Sequence, residues 1–145
     1  MPDLATPPPA GTTLLIAEDN PDDLFFFKRA LKQSGVGNPT QSFENGQQAV
    51  AFLRRWCEAE PGAATPTTRP CAMFLDIKMP LMSGFETLAW ARQQPALADL
   101  VIVMLSGSGA ASDIAYAKQL GANDYLVKPP TPEALQAVLR RSWKA

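Results

Sequence analysis

Asp76 is an acidic side chain at the predicted end of a buried strand. The apolar run from Ala72 to Leu75 predicts that strand, and Pro80 stops regular pairing shortly after it. A carboxylate at the carboxyl end of a buried strand lies where open parallel sheets bind their ligands. Taken alone, Asp76 could equally be a helix cap or a turn residue. Its interpretation therefore depends on which other groups reach the same place.

A second acidic position follows the first predicted strand. Residues 13–17 form a short apolar run, and Glu18 and Asp19 come directly after it. Two adjacent carboxylates at the end of a buried strand repel each other, so they are costly unless a cation or a basic group lies beside them. The pair predicts such a positive partner.

Ser106 and Lys128 follow two further predicted strands, at residues 100–105 and 124–127. Because the carboxyl ends of parallel strands share one edge of a sheet, these groups can meet the carboxylates. Three carboxylates suit Mg²⁺, which keeps waters and leaves room for a phosphate oxygen. A lysine and a hydroxyl complete a site for a phosphoryl group. The alternatives without chemistry are that Ser106 caps the next helix and that Lys128 is a surface lysine.

Composition excludes several classes of function. The chain has 145 residues and a net charge of -1, so we expect one domain without an electrostatic footprint for nucleic acid or an anionic membrane. Its lack of histidine excludes a Ser-His-Asp triad and a zinc site with histidine ligands. No apolar run approaches the ~20 residues of a membrane span, and no signal peptide is evident, so we expect a cytoplasmic protein. Cys57 and Cys71 predict reduced thiols rather than a disulfide framework.

Strand and helix patterns alternate five times. This alternation predicts an α/β fold with a parallel sheet and helices on both faces, in one domain over residues 12–145. A flexible Pro-rich tail is expected at 1–11 and an irregular loop at 60–70. The predicted strands are 13–17, 40–43, 72–75, 100–105 and 124–127. The predicted helices are about 21–34, 46–56, 85–94 and 110–120, with a last one opening at Thr131-Pro132-Glu133.

The first helix carries an unusual run of aromatic residues. Asn20 as a cap, Pro21 at the first helical position and Gly35 beyond the end predict its bounds. Helical spacing predicts a buried face made of Phe26, Phe27, Ala30 and Leu31. Phe25 lies off that face and Leu24 at its margin. An exposed Phe25 is either incidental or part of a partner surface beside the acidic site.

Together, these motifs resemble the response-regulator receiver domains of two-component signalling. The resembling residues are the Glu18-Asp19 pair, Asp76 in Leu-Asp-Ile-Lys-Met-Pro with Gly84 after it, Ser106, and Tyr125-Leu-Val-Lys128-Pro129. Each motif is weak alone, but their order and positions are specific, and the resemblance covers about residues 14–139. It implies a flavodoxin-like, doubly wound (βα)5 fold with a five-stranded parallel sheet in the order 2-1-3-4-5.

The resemblance also implies roles for the matching acidic residues. Asp76 would be the phosphoacceptor, taking a phosphoryl group from a phosphohistidine on a partner kinase. Asp19, Asp76 and the backbone carbonyl of Lys78 would bind Mg²⁺, and Glu18 would act through water. The side chain of Lys78, two residues past the acceptor, could tune the lifetime of the phosphoryl group.

Further roles fall to the residues after the fourth and fifth strands. Lys128 and Ser106 would hold the phosphate oxygens, with Ser106 standing where threonine is commoner. Tyr125 would be the switch aromatic, turning inward when Ser106 moves toward the phosphate. The alternative is that Tyr125 is an ordinary core residue.

More narrowly, Glu-Asp-Asn-Pro-Asp-Asp and Gly-Ala-Asn-Asp-Tyr look similar to single-domain regulators paired with phytochrome-type or other hybrid sensor kinases. That subfamily often dimerises through its fourth helix, fifth strand and fifth helix, which here include Ile114, Tyr116 and Trp143. We therefore expect a sensor histidine kinase as partner, a homodimer, and a partner surface that also includes Leu24 and Phe25. Since only one helix is predicted after Lys128, we expect output through protein contacts without a DNA-binding domain; the downstream target is not indicated.

Two other classes of protein remain open at this point. The first is a phosphatase or phosphotransferase acting through an aspartyl-phosphate, but haloacid-dehalogenase-like enzymes usually carry a second Asp where Lys78 stands. The second is a nucleotide or flavin binder using Ser106-Gly107-Ser108-Gly109, which matches no full phosphate-loop motif. Turnover of a phosphoester would favour the first, and visible absorbance the second.

Overall fold

A computed structural model describes residues 12–58 and 69–142 of the chain. The predicted tail at 1–11, most of the predicted loop at 60–70, and Trp143 lie outside these ranges. Strands and helices alternate: β1 (Thr12–Ala17), α1 (Pro21–Gln33), β2 (Thr40–Phe43), α2 (Gly46–Glu58), β3 (Arg69–Asp76), α3 (Gly84–Arg92), β4 (Val101–Ser106), α4 (Ala111–Leu120), β5 (Asp124–Val127) and α5 (Pro132–Ser142). A short 3-10 turn at Pro95–Leu97 lies between α3 and β4.

The strands form one five-stranded sheet in the order β2-β1-β3-β4-β5. Every neighbouring pair is parallel. This confirms the predicted flavodoxin-like fold. In a parallel sheet of this order, the order in which successive strands are added reverses between β1 and β3. The crevice that binds ligands lies at the carboxyl ends of these two strands.

The core has two halves, one on each face of the sheet. Successive strand residues point to opposite faces, so Leu14 and Ile16 belong to one half and Leu15 and Ala17 to the other. The first half is covered by α1 and α5, through residues such as Phe27 and Leu135. The second is covered by α2, α3 and α4. Because both faces are buried, the strands read as continuous apolar runs rather than as alternating ones.

Most predicted boundaries are confirmed to within a few residues. Asn20 caps α1 by accepting the N–H groups of Asp22 and Asp23. Gly35 and Gly121 follow α1 and α4 in the left-handed conformation, with φ of 90° and 104°. The largest difference is β3, which begins at Arg69 inside the predicted loop. Its first residues, Arg69 and Pro70, are a charged residue and a proline, which do not signal a buried strand. The pairing of β3 with β1 shifts register between Thr13 and Leu14.

The prediction that Phe26 belongs to the buried face of α1 is wrong. Phe26 is 50% exposed, whereas Phe27 is 2% exposed and packs against Phe74 with ring centroids 4.8 Å apart. One residue along a helix is a rotation of about 100°, so the stripe that meets the sheet is centred on Phe27 and leaves Phe26 outside it. Phe26 borders a surface groove with Pro129 and Pro130.

On α2, Phe52 is buried, while Trp56 is only half-buried. None of the helices in the described ranges has both the length and the apolar character required to cross a membrane.

Candidate functional site

The sheet itself places the candidate residues, because main-chain pairing continues one residue past several strands. Glu18 N–H donates to the Phe43 carbonyl at 2.9 Å, and Ile77 N–H, next to Asp76, donates to the Leu105 carbonyl at 3.0 Å. Lys128 N–H donates to the Ser106 carbonyl at 2.7 Å. The positions of Glu18, Asp76, Ser106 and Lys128 are therefore tied to one edge of the sheet, as the sequence predicts.

The turn after Asp76 folds back tightly on it. Gly84 N–H donates to the Ile77 carbonyl at 2.9 Å. A Cβ atom at Gly84 would lie 2.8 Å from the Ile77 Cα, so no side chain fits there without moving the main chain. Within the turn, Met82 N–H donates to the Pro80 carbonyl at 2.7 Å, and Leu81 between them has a φ of 69°. This is the three-residue γ-turn, a strained conformation for leucine.

Lys128 joins the carboxylates into one network. Its Nζ lies 2.7 Å from Glu18 Oε1, 3.1 Å from Asp76 Oδ1 and 3.1 Å from Asp23 Oδ2. The Lys128 side chain is only 17% exposed, and those of Glu18 and Asp76 are 2% and 7% exposed. Lys128 is thus a half-buried member of the site and not a surface lysine.

Burial decides the protonation of this network. It raises the pKa of Glu18 from 4.5 to about 7, although hydrogen bonds from Lys128 and the Asn20 N–H act in the opposite direction. Burial also raises the pKa of Asp76, and the Lys128 charge offsets part of that rise. For Lys128, burial alone would lower the pKa, but hydrogen bonds to Glu18 and Asp23 outweigh it and raise the pKa above its ordinary value. One ammonium does not fully balance two buried carboxylates and a third nearby, so the site favours an additional positive charge.

The donor set fits a hard divalent cation. Carboxylate oxygens of Glu18, Asp19 and Asp76 lie within 4.8 Å of one another. Glu18 and Asp76 are buried and Asp19 is exposed, so the group opens toward solvent on one side. All three donors are oxygens, which Mg²⁺ and Mn²⁺ prefer, and an open side leaves room for water or a phosphate oxygen.

Ser106 and Tyr125 are linked through Ser108. Ser106 is 4% exposed, and its Oγ accepts the Ser108 N–H at 3.0 Å. The Tyr125 hydroxyl donates to the Ser108 carbonyl at 2.8 Å, and its ring packs partly buried against the core. The N-cap of α4 is Ala110, whose N–H reaches the Ser108 Oγ at 3.1 Å, so Ser106 does not cap that helix.

These residues surround an open cleft of about 470 Å³ at the carboxyl edge of the sheet. The cleft is large enough for a phosphoryl group and its solvent. It brings together the predicted acidic residues, Lys78, Ser106 and Lys128. The residues that line it are Glu18, Asp19, Asn20, Asp23, Asp76, Lys78, Ser106, Gly107, Ser108 and Lys128.

The described residues of the predicted partner surface do not line the cleft, and they differ in exposure. Phe25 is 60% exposed, and its ring meets that of Phe26 edge to face at 5.5 Å. Tyr116 is 46% exposed and meets Phe85 in the same way at 4.8 Å. Leu24 and Ile114 are half-buried, and Trp143 is outside the described residues.

Sequence reasoning missed Asp23 as a site residue. It treated Asp23 only as an acidic residue in the first turn of a helix, yet Asp23 contacts Lys128 across 105 positions of sequence. The available signal was positional: α1 begins directly after the acidic end of β1, so its first turn must face the same edge. Ser108 was also missed as the residue that connects Ser106 to Tyr125.

The sequence matches the family described as "Response regulator receiver domain" over residues 14–140. The response regulator Rcp1 of Synechocystis sp. is 30% identical over 128 residues, which cover 88% of this chain and 82% of Rcp1. Some other relatives are longer, and the chain spans 50% of the transcriptional regulatory protein GltR of Pseudomonas aeruginosa at 29% identity.

Solved structures agree with this assignment. The bacteriophytochrome response regulator RtBRR superposes with a TM-score of 0.77 at 29% identity, covering 92% of this chain and 79% of RtBRR. The Mn²⁺-bound form of Rcp1 superposes with a TM-score of 0.70 at 27% identity over 91% of this chain and 93% of Rcp1. The phosphorylated cyanobacterial phytochrome response regulator RcpA gives a TM-score of 0.70 at 31% identity, with 89% of each chain covered. The chain belongs to the response regulator receiver domain family.

Proposed function

We propose that this receiver domain accepts a phosphoryl group on Asp76 from a phosphohistidine of a sensor histidine kinase, in a reaction that needs Mg²⁺. The observation that carries the proposal is the position of the Asp76 carboxylate. It lies at the floor of an open cleft, 3.1 Å from the Lys128 ammonium and within a group of three cation-binding carboxylates. A carboxylate in this position can act as a nucleophile, and the negative charge of the phosphoryl group that it receives can be balanced by Lys128 and a bound cation.

In the transfer step, an Asp76 carboxylate oxygen attacks phosphorus and forms a new O–P bond. The bond between phosphorus and the kinase imidazole nitrogen breaks, the electron pair stays on that nitrogen, and the imidazole takes up a proton. Hydrolysis reverses the modification, because water then attacks phosphorus and the Asp76 carboxylate leaves. Each Asp76 holds one phosphoryl group until hydrolysis restores the carboxylate, so the chain is a stoichiometric acceptor in the transfer step.

Residues around Asp76 divide the work of the transfer. Lys128 directs an N–H toward the acceptor oxygen and offsets charge on the transferred group. Ser106 supplies a hydroxyl from the neighbouring strand end as a hydrogen-bond donor. Asp19, Asp76 and the Lys78 backbone carbonyl would hold Mg²⁺, with Glu18 acting through water. When bound, the ion supplies positive charge for the phosphoryl oxygens.

We further propose that Tyr125 reports the state of the site. Its hydroxyl is tied to the Ser108 carbonyl, and Ser106 is tied to the same residue through the Ser108 N–H. A movement of Ser106 toward a phosphoryl group would break the second of these bonds and release the segment that positions the Tyr125 ring. The ring would then turn inward, which changes the surface formed by α4, β5 and α5.

A phytochrome-type kinase is the partner that the comparisons support best, because Rcp1, RcpA and RtBRR are response regulators and the last two are named for phytochromes. Leu24 and Phe25 would meet a partner beside the cleft. Ile114, Tyr116 and Trp143 would contribute to a homodimer through the α4–β5–α5 face, and output would pass through protein contacts. Size measurement before and after phosphorylation tests the dimer.

The test of the central proposal is intact mass after incubation with Mg²⁺ and acetyl phosphate, for the wild type and Asp76→Asn. We expect one phosphoryl adduct on the wild type and none on the variant, whose fold should persist because asparagine replaces a carboxylate that burial already disfavours. Omission of Mg²⁺ is the control. An Mg²⁺-dependent adduct on Asp76→Asn at the wild-type rate would refute the assignment, and repeated release of phosphate without an adduct would favour an enzyme.

A further inference from the structure

Lys128 has as many carboxylate partners as it has N–H donors. An ammonium group carries three N–H bonds, and Glu18, Asp23 and Asp76 each place an oxygen within 3.1 Å of Nζ. Asp23 is neither one of the residues that would bind the cation nor the residue that accepts the phosphoryl group. Its contact with Lys128 therefore needs a separate explanation.

The three carboxylates differ in the other interactions that they can make. Glu18 and Asp76 belong to the group whose oxygens converge for a cation, and Asp76 is also the acceptor. Asp23 is outside that group, and its side chain is 42% exposed against 2% for Glu18. When a cation draws on Glu18 and Asp76, Asp23 is the carboxylate of the three that keeps its interaction with Lys128.

Asp23 is well fixed for such a role. It lies in the first turn of α1, and its N–H donates to the Asn20 Oδ1 at 3.0 Å. The helix N-terminus favours a negative side chain in this turn. Further along, Phe27 is buried against Phe74 of β3, so the helix that carries Asp23 is packed on the sheet that carries the acceptor.

We propose that Asp23 is a positioning residue that keeps Lys128 directed at Asp76 while the cation and the phosphoryl group occupy the cleft. This inference rests on the proposed phosphoryl transfer. Without a cation, Glu18 and Asp23 take two of the N–H groups and the third points to the Asp76 Oδ1 at 3.1 Å. When a cation draws on Glu18, Asp23 remains to hold the ammonium group in that direction. As the O–P bond forms and the donor keeps its electron pair, the same N–H faces a phosphoryl oxygen. Without Asp23, the flexible lysine side chain samples positions that do not stabilise the transfer.

The kinetic test compares Asp23→Ala with Asp22→Ala. Asp22 is exposed, lies in the same helical turn and has the same charge, so its removal reproduces the general electrostatic change without removing the contact to Lys128. At saturating Mg²⁺, the rate constant for phosphorylation by acetyl phosphate should fall about fivefold for Asp23→Ala, the size that a half-exposed charge pair supports. It should change less than about twofold for Asp22→Ala, and Asp23→Glu should recover part of the loss. Mg²⁺ affinity should shift equally in both alanine variants.

A second measurement does not depend on phosphorylation. The Lys128 ammonium group can be followed by NMR of its N–H protons, which are observed only when the group is held by stable partners. In the wild type, we expect the signal with and without Mg²⁺. In Asp23→Ala, we expect it without Mg²⁺ and its loss when Mg²⁺ is added, whereas Asp22→Ala should behave as the wild type.

Several results would overturn the inference. They are equal rate constants for Asp23→Ala and Asp22→Ala, a faster rate for Asp23→Ala, a Lys128 signal that survives Mg²⁺ in Asp23→Ala, and a wild-type signal that Mg²⁺ abolishes. If the wild type forms no adduct at Asp76, the proposed function fails by itself. The ammonium signals then still decide whether Asp23 holds Lys128.

Discussion

Replacement of Gly84 by alanine should disturb the acceptor strand directly. The added Cβ would lie 2.8 Å from the Ile77 Cα and 2.9 Å from the Asp76 carbonyl carbon, whereas unstrained carbon contacts begin near ~3.5 Å. Both neighbours are main-chain atoms, so the strand end or the start of α3 must shift by roughly 1 Å. Overpacking of this kind costs about 1–3 kcal/mol, and the better helix propensity of alanine returns up to ~1 kcal/mol. We expect a net loss of about 1–2 kcal/mol.

Thermal denaturation measures that loss. For a chain of 145 residues, 1 kcal/mol corresponds to about 3 °C, so the midpoint of Gly84→Ala should fall by about 3–6 °C. Because the shift moves Asp76 itself, phosphorylation by acetyl phosphate should also slow by roughly tenfold or more.

Gly107→Ala is the matched control for stability, since Gly107 lines the same cleft and has no atom within 4 Å of the added Cβ. Its stability should change by less than about 0.5 kcal/mol. If Gly84→Ala melts at the same temperature as Gly107→Ala, the close approach of α3 to the acceptor strand does not constrain this position, and the reasoning is refuted.

Two further predictions concern the same edge of the sheet. In EDTA, the free energy of unfolding should rise by on the order of 2 kcal/mol as the pH falls from about 7 toward 4.5, because the raised pKa of Glu18 makes the folded chain bind a proton more tightly than the unfolded one. This gain in stability is complete below pH 4.5 and is lost as the pH rises through about 7. Urea denaturation across this range measures the free energy of unfolding at each pH. An equal dependence of that free energy on pH in Glu18→Gln would contradict the prediction. Leu81→Gly should stabilise the chain by about 1 kcal/mol, because glycine accepts the φ of 69° and the 72% exposed leucine side chain has little packing to lose. A lower melting temperature for Leu81→Gly would show that this turn stores no strain.

Local patterns in the sequence predicted the elements well, because the determinants are local. The Asn20-Pro21 start and Gly35 end of α1 depend on side chains within a few residues. The strand ends that carry Asp76 and Lys128 follow from apolar runs that stop at charged residues. Because all the strands are parallel, the ends that carry Asp76 and Lys128 must lie at the same edge of the sheet.

The missed role of Asp23 and the wrong burial of Phe26 both depend on contacts between segments that are distant in sequence. The ion pair between Asp23 and Lys128 joins positions 105 residues apart, and nothing near Asp23 distinguishes it from the exposed Asp22. Phe26 was assigned to the buried face because its spacing from Ala30 is helical. Its exposure depends on how far the sheet and α5 extend around α1, which periodicity does not report.

The hydrogen bonds that extend the sheet past its strands have a consequence for the durability of the site. Glu18, Ile77 and Lys128 each donate an N–H to a neighbouring strand, so the main chain of the acceptor region is part of the hydrogen-bonded sheet. Partial unfolding of a protein usually begins in segments with few buried contacts and leaves such bonds closed. The cleft can therefore lose order in its surrounding turns while the spacing of its charged groups persists. Exchange of these amides with solvent should therefore be slower than exchange of the amides in the turns around them, and the relative positions of Glu18, Asp76 and Lys128 should outlast local opening of those turns.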